Sequence, residues 1–150
     1  YWQGNDLDEV RDQYYLAMLY VGHLAGVKGS LTAEENLRWM MQLDKSLDKC
    51  TIATALKQVG LYGFEDVPCH SLSAGQQRRG GLARLYLSSA PLWILDEPFT
   101  ALDKKGVKEK EALIANHIED GGSVILTTHH DLKIPGQTIR PINLGEVDRA

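Results

Sequence analysis

The sequence predicts an α/β fold interrupted by an all-helical insertion, and three observations lead to that prediction. Short apolar runs stand at residues 15–21, at Leu92-Trp93-Ile94-Leu95 and at residues 124–128, each the length of a strand rather than a helix. Between the first and second runs, about residues 30–90, apolar residues recur at helical spacing. At 150 residues the chain can bury one core, so a single domain is expected. Residues 1–29 and 91–150 form its α/β core, and residues 30–90 a helical subdomain.

Residues 2–11 are polar and turn-rich around Gly4-Asn5-Asp6. Residues 15–21, aromatic and apolar and closed by Gly22, read as a buried strand. Gly22, Gly26 and Gly29 then mark a loop. Thr32 with Glu35 three residues on has the spacing of a capping box, and Leu37, Met40 and Met41 follow at helical spacing, predicting a helix to about Leu43. Asp48 is the next candidate cap. Ile52, Ala53, Leu56 and Val59 form a stripe that Gly60 can close. Residues 61–72, broken by Gly63 and Pro68, are irregular. A third helix is expected from Ala74 to about Ser89, with Pro91 marking the change to strand. Leu92-Trp93-Ile94-Leu95 is continuous enough to predict a strand covered on both faces. Residues 107–118 read as a helix closed by Gly121-Gly122, and residues 138–147 as edge strands.

The formal charge of −4 argues against a nucleic-acid binder working through a broad basic surface. Two cysteines, Cys50 and Cys69, make neither a disulfide framework nor a Cys-x-x-Cys site, which fits a reduced, cytoplasmic setting. The start, Tyr1-Trp2-Gln3-Gly4, is neither a methionine nor a signal peptide and reads as the middle of a larger chain.

Residues 72–103 hold the candidate chemistry. A strand in a parallel sheet delivers its last residues to the sheet's carboxyl edge, where ligands bind. Asp96 and Glu97 would arrive there side by side. One carboxylate can hold Mg²⁺ through water, and the next can orient an attacking water and accept its proton. The pair also suits an acidic strand end in a solvated loop. Leu72-Ser73-Ala74-Gly75-Gln76 opens a helix with free N–H groups and the positive end of the helix dipole, an anion site or simply a capped helix. Thr127-Thr128-His129-His130 follows a strand, so His129 can reach a phosphate oxygen or rest as a loop histidine.

In order and spacing this set resembles the nucleotide-binding domain of ATP-binding-cassette (ABC) proteins. Leu72 to Gln76 match the signature loop, with Ala74 where glycine is commonest. Leu92 to Asp96 match Walker B, Glu97 the catalytic glutamate, Thr100-Ala101-Leu102-Asp103 the D-loop and His129 the switch histidine. The resemblance implies a partial P-loop NTPase-like fold, ATP as ligand and Mg²⁺ held by Asp96 through water. It implies catalysis by Glu97 and His129, and nucleotide binding by Ser73, Ala74, Gly75, Gln76 and Asp103. Two ATP-binding subunits would form a homodimer, head to tail, with each signature loop serving the ATP of the other.

The sequence departs from that pattern in three places. No Gly-x-x-x-x-Gly-Lys-Ser/Thr occurs, so the 150 residues alone are expected to be inactive and to continue a chain that supplies that loop. His23-Leu24-Ala25 stands where the family usually has a glutamine, so the glutamine's link to Mg²⁺ and water is either absent or supplied by His23. Gly80 and Gly81 lie inside the signature helix, a cost that close packing can offset or that softens the helix locally. Cys69-His70 reads as a structured turn rather than a haem or metal site.

Softer likeness spans nearly the whole chain, including Trp2-Gln3-Gly4, Val10-Arg11-Asp12, Gly26-Val27-Lys28, Leu31-Thr32-Ala33, Glu35-Asn36-Leu37 and Pro98-Phe99-Thr100. It resembles the ATP-binding subunits of bacterial cytochrome c maturation (haem) exporters. That implies a peripheral protein on the cytoplasmic face of the inner membrane, with integral membrane subunits as partners and no nucleic acid. Rival readings are an exporter ATPase for lipid or drug, a non-transport ABC ATPase and a non-catalytic binding module.

Overall fold

The computed structural model describes residues 1–143 except Lys45, Asp48, Lys49 and Ala101. The chain runs α1 (Arg11–Leu16), β1 (Met18–Val21), α2 (Ala33–Leu43), α3 (Ile52–Gln58), α4 (Ala74–Leu82), α5 (Arg84–Leu87), β2 (Leu92–Asp96), α6 (Lys104–Glu119) and β3 (Ser123–Thr127), with a 3₁₀ turn at Cys69–Ser71. The three strands form a parallel sheet in the order β1-β2-β3, so all deliver their carboxyl ends to one edge. Four helices intervene between β1 and β2, where the periodicity predicts three.

Register decides which side chains meet. Leu19, Trp93 and Val124 stand in one row, and Val21, Leu95 and Leu126 in the next on the same face. Leu19, Val21, Trp93 and Leu95 are fully buried there and join Leu82, Leu85 and Leu87 in one core. The other face carries Tyr20, Ile94 and Ile125 in a row, with Tyr20 51% and Ile125 58% exposed. A strand covered on both faces was expected at Leu92-Trp93-Ile94-Leu95. Among the described residues only one face is fully covered, and Asp96 and Thr127 lie on the open one.

The helical half begins as expected. Glu35 N–H donates to Thr32 Oγ1 at 3.1 Å, and Thr32 N–H donates to the Glu35 carboxylate at 2.8 Å. Ala33, Asn36, Leu37 and Met40 then bury one helical stripe. α3 is capped by Thr51, whose Oγ1 accepts from Thr54 N–H at 3.2 Å; Asp48, the cap expected from sequence, lies outside the described residues. Its buried face is Ala55, Leu56 and Val59, and Ala53 is exposed. Gly60, at φ +69°, ends the helix. Its N–H meets Lys57 C=O and Leu61 N–H meets Leu56 C=O, a Schellman closure sealed by the fully buried Leu56 and Leu61.

Three further expectations change. Residues 15–21 divide into the end of α1 and a four-residue strand, because Tyr14 N–H reaches Val10 C=O and Ala17 N–H reaches Gln13 C=O before the strand can begin. A short aromatic run fits either state, and one helical turn of hydrogen bonds decides between them. The helix expected to about Ser89 is two pieces joined at Ala83, whose N–H is shared by the Arg79 and Gly80 carbonyls. Residues 138–143 contain no strand, and 144–147 lie outside the described residues.

Candidate functional site

β2 ends at Asp96 and turns sharply at Glu97, which takes φ +50°, a left-handed conformation that a non-glycine residue adopts only when its surroundings hold it. Two neighbours supply that hold. Glu97 N–H donates to Thr127 C=O at 3.1 Å and to Thr127 Oγ1 at 3.2 Å, so the end of β3 fixes the incoming peptide. The outgoing carbonyl accepts from Thr100 N–H at 3.2 Å and from Arg78 at 2.9 Å. Thr127 also donates its hydroxyl to Asp96 Oδ1 at 2.6 Å, fixing that carboxylate with one oxygen still open to another ligand.

Beyond β3 the chain brings His129 back to the same edge. Its Nε2 lies 3.6 Å from Glu97 Oε1, with the imidazole fully exposed and Glu97 only 19% exposed. Glu97 and His129 therefore meet at the sheet edge, beside the strand end that carries Asp96. Next to them Phe99 is buried against the His130 ring, centroids 5.6 Å apart, which anchors the turn after Pro98.

The helix start at Ser73 is a second element. Gln76 N–H donates to Ser73 Oγ at 3.2 Å, and Ser73 N–H donates to Gln76 Oε1 at 2.9 Å, a complete capping box. This uses Ser73 Oγ as acceptor and leaves its proton to donate. Gln76 likewise keeps its amide NH₂. Ser73 and Ala74 are exposed, and Gly75 and Gln76 half-buried. Gln77 sends its amide to the carbonyls of Cys69 and Leu72 at 2.8 and 3.1 Å, fastening the 3₁₀ turn to the helix. Asp103, expected at a subunit interface, caps α6: its Oδ1 accepts from Gly106 N–H at 2.7 Å. Ala101 lies outside the described residues.

Sequence reasoning missed Arg78 and Thr127. Arg78 is 6% exposed and donates to four backbone carbonyls: Gly22 at 2.7 Å, His23 at 2.6 Å, Asp96 at 3.0 Å and Glu97 at 2.9 Å. Burial lowers its pKa, and the negative charges of Asp96 and Glu97 oppose that shift. The signal for it lay in the helical spacing of 78, 81, 82 and 85. An arginine on that buried stripe needs internal partners. Arg78 thus fastens the signature helix to the ends of β1 and β2. His23 offers its carbonyl to that fastening and leaves its ring exposed. Gly81 explains itself in the same place: a Cβ there would lie 2.2 Å from Ala25 O, whereas one at Gly80 would meet only Leu61 Cδ1 at 3.6 Å. Cys69 belongs to a structural cluster, its thiol pKa raised by burial and lowered in part by the Asn36 amide.

A parallel sheet with paired carboxylates and a histidine at its carboxyl edge, joined to a capped anion-type helix start, is the arrangement of a nucleotide-dependent ATPase domain. Residues 1–100 match the sequence model of the ABC transporter family, and the chain belongs to that family. Among curated proteins it is similar to the cytochrome c biogenesis ATP-binding export protein CcmA of Pseudomonas putida, 57% identical over 95% of this chain and 68% of the relative. The protein of the same name from Hahella chejuensis is 50% identical over 98% of this chain and 69% of its own length. Among solved structures, a dimeric ATP-binding cassette in a post-hydrolysis state bound to ADP and Pi superposes with TM-score 0.68 at 26% identity. The match covers 85% of this chain and 58% of that one. An ATP-binding subunit of an ABC transporter, at TM-score 0.67 and 21% identity over 84% of this chain and 54% of that chain, shares the fold. The chain spans about two thirds of the length of these curated relatives and a little over half of these structures.

Proposed function

We propose that this protein is the ATP-hydrolysing subunit of an ABC exporter acting in cytochrome c biogenesis. The observation that carries the reading is the meeting of Glu97 and His129 beside Asp96 at one sheet edge, in a chain that is 57% identical to a cytochrome c biogenesis ATP-binding export protein. Glu97 acts as general base: its carboxylate takes a proton from the water that attacks the γ-phosphate of ATP. The 3.6 Å between Glu97 and His129 supports an imidazole serving the same phosphate.

Asp96 suits Mg²⁺ held through water. Thr127 occupies one of its oxygens and leaves the other, and no group of three His, Cys, Asp or Glu side chains forms a protein cage among the described residues. One carboxylate with water and phosphate oxygens is the donor set Mg²⁺ prefers. The ion would neutralise charge on the phosphates; orienting and deprotonating water falls to Glu97. Ser73, Ala74, Gly75 and Gln76 serve the ATP of a second copy, through the Ser73 hydroxyl proton, the Gln76 amide and the backbone of the first turn. Two copies pair head to tail, with Asp103 near the interface. Integral membrane subunits are the further partners, at the cytoplasmic face of the inner membrane. The exposed Trp39, Leu43 and Tyr62 of the helical half, with Leu24 of the loop after β1, offer apolar surface for such contacts.

The test is Glu97→Gln in the complete protein assembled with its membrane subunits. Hydrolysis should fall by about 10²–10³-fold with ATP binding retained, and cells carrying only this variant should lack mature c-type cytochromes on haem-stained gels. Hydrolysis at the unmodified rate, or normal cytochromes in cells without the protein, would sink the reading.

A further inference from the structure

Among the described residues Arg78 is a heavily engaged buried charge that the proposed chemistry leaves unused. Its four acceptors are all main-chain carbonyls, two at the end of β1 and two at the end of β2. No carboxylate is hydrogen-bonded to it among the described residues. Burying a guanidinium whose hydrogen bonds all go to neutral carbonyls is a costly way to join a helix to a sheet, even with the charges of Asp96 and Glu97 offsetting part of the cost. An apolar side chain at this position, between Gly81, Leu82 and Leu85 on the same stripe, would pack α4 without that cost. What an apolar side chain could not do is grip the peptides on both sides of one residue.

That residue is Glu97. Its left-handed backbone costs about 1–2 kcal/mol in a residue with a Cβ, so it persists only where both flanking peptides are held. Thr127 holds the N–H side. One Arg78 nitrogen, Nη2, donates to the Asp96 and Glu97 carbonyls together, at 3.0 and 2.9 Å. Those two carbonyls belong to the peptides before and after the Glu97 Cα, so their orientation sets where the carboxylate departs from the chain. Nη1 takes the Gly22 and His23 carbonyls of the neighbouring strand end, which fixes the guanidinium plane. The planar fork makes both attachments at once, a geometry that a lysine ammonium cannot reproduce.

We propose that Arg78 is a positioning residue for Glu97, holding its carboxylate in the attitude needed to orient water by clamping the two peptides that flank it. The proposal rests on Glu97 being the general base. Nothing in it requires Arg78 to touch nucleotide.

The experiment uses the complete protein with its membrane subunits and compares Arg78→Lys, Arg78→Ala and Glu97→Gln. In both Arg78 variants kcat should fall by between about ten- and a hundredfold, with the KM for ATP and the nucleotide affinity within about twofold of the parent. Added guanidinium ion, at concentrations well below those that unfold the parent, should restore part of the kcat of Arg78→Ala and none of that of Glu97→Gln. A structural role alone predicts otherwise: activity lost in proportion to folded protein, without rescue. Parent-like kcat in Arg78→Lys and Arg78→Ala, loss that tracks the folded fraction, or failure of both variants to fold overturns the proposal. The two readings separate cleanly. Full activity in Glu97→Gln removes the general base, whereas an inactive Glu97→Gln beside fully active Arg78 variants removes only the clamp.

Discussion

Gly80 and Gly81 are adjacent in one helix, yet alanine should act on them in opposite directions. At position 80 a new Cβ meets Leu61 Cδ1 at 3.6 Å, an ordinary contact with the end of a flexible side chain. The substitution removes the helix-interior cost of glycine, so Gly80→Ala should stabilise by about 0.5–1 kcal/mol. At position 81 the Cβ falls 2.2 Å from Ala25 O and 3.1 Å from Ala25 C. The oxygen is roughly 1 Å inside van der Waals contact, and both sides are backbone, so either α4 or the loop after β1 must move. Overpacking of this kind costs about 1–3 kcal/mol, more than the same helix gain returns. Urea unfolding of the complete protein is the assay, read as a shift in midpoint at constant slope. For a chain of this size each kcal/mol is about 2–4 °C in Tm. Gly81→Ala should also lower kcat, because Ala25 follows the Gly22 and His23 carbonyls that Arg78 holds. If Gly81→Ala is as stable as Gly80→Ala, the reasoning about close approach is wrong.

Burial brings the Lys110 ammonium down to about 8 from 10.5, with Tyr86 Oη 2.9 Å away. The unfolded chain then binds more protons between those pH values, so stability should rise with pH across that window, and the full penalty applies below it. Lys110→Met should remove this slope and stabilise the protein at neutral pH by up to about 3 kcal/mol, as read by melts at several pH values. Asn36 accepts from Lys28 N–H at 2.7 Å and donates to the carbonyls of Lys28 and Thr32 at 3.0 and 2.9 Å while fully buried. Asn36→Ala should cost about 1–3 kcal/mol and speed amide exchange at Lys28. A Cβ on Gly122 would fall 2.2 Å from His117 Nε2, and the His117 ring stacks on Trp93 at 3.8 Å. Gly122→Ala should therefore destabilise by about 1–3 kcal/mol and change tryptophan fluorescence; an unchanged emission would show that the stack survives.

Elements with strong local signals were legible in the sequence. Thr32 with Glu35 and the stripe after it gave α2, and Pro91 before an apolar run gave β2. Residues 15–21 were not, because Tyr14 and Tyr15 suit a strand locally and only the hydrogen bonds back to Val10 and Gln13 make a helix. Which face of β2 is covered within the described residues was not legible either, because continuous apolar runs do not reveal which side neighbours cover; register with Tyr20 and Ile125 does. Asp96, Glu97, Ser73 and His129 were singled out by their order and spacing, which resemble a family pattern, and the structure brings Glu97 and His129 within 3.6 Å. The helical stripe hints that Arg78 is buried, but its partners are carbonyls, which every residue has, and only the fold decides which of them converge.

The capping box at Ser73 has a kinetic consequence. The start of α4 is closed by its own side chains, which satisfy each other reciprocally. An arriving phosphate would find a helix end already ordered, so little conformational entropy is lost on contact and encounter becomes limited by diffusion and charge rather than by folding of the loop. Contact and release of an anion at that surface would then be fast and repeatable, with no loop to fold or unfold each time.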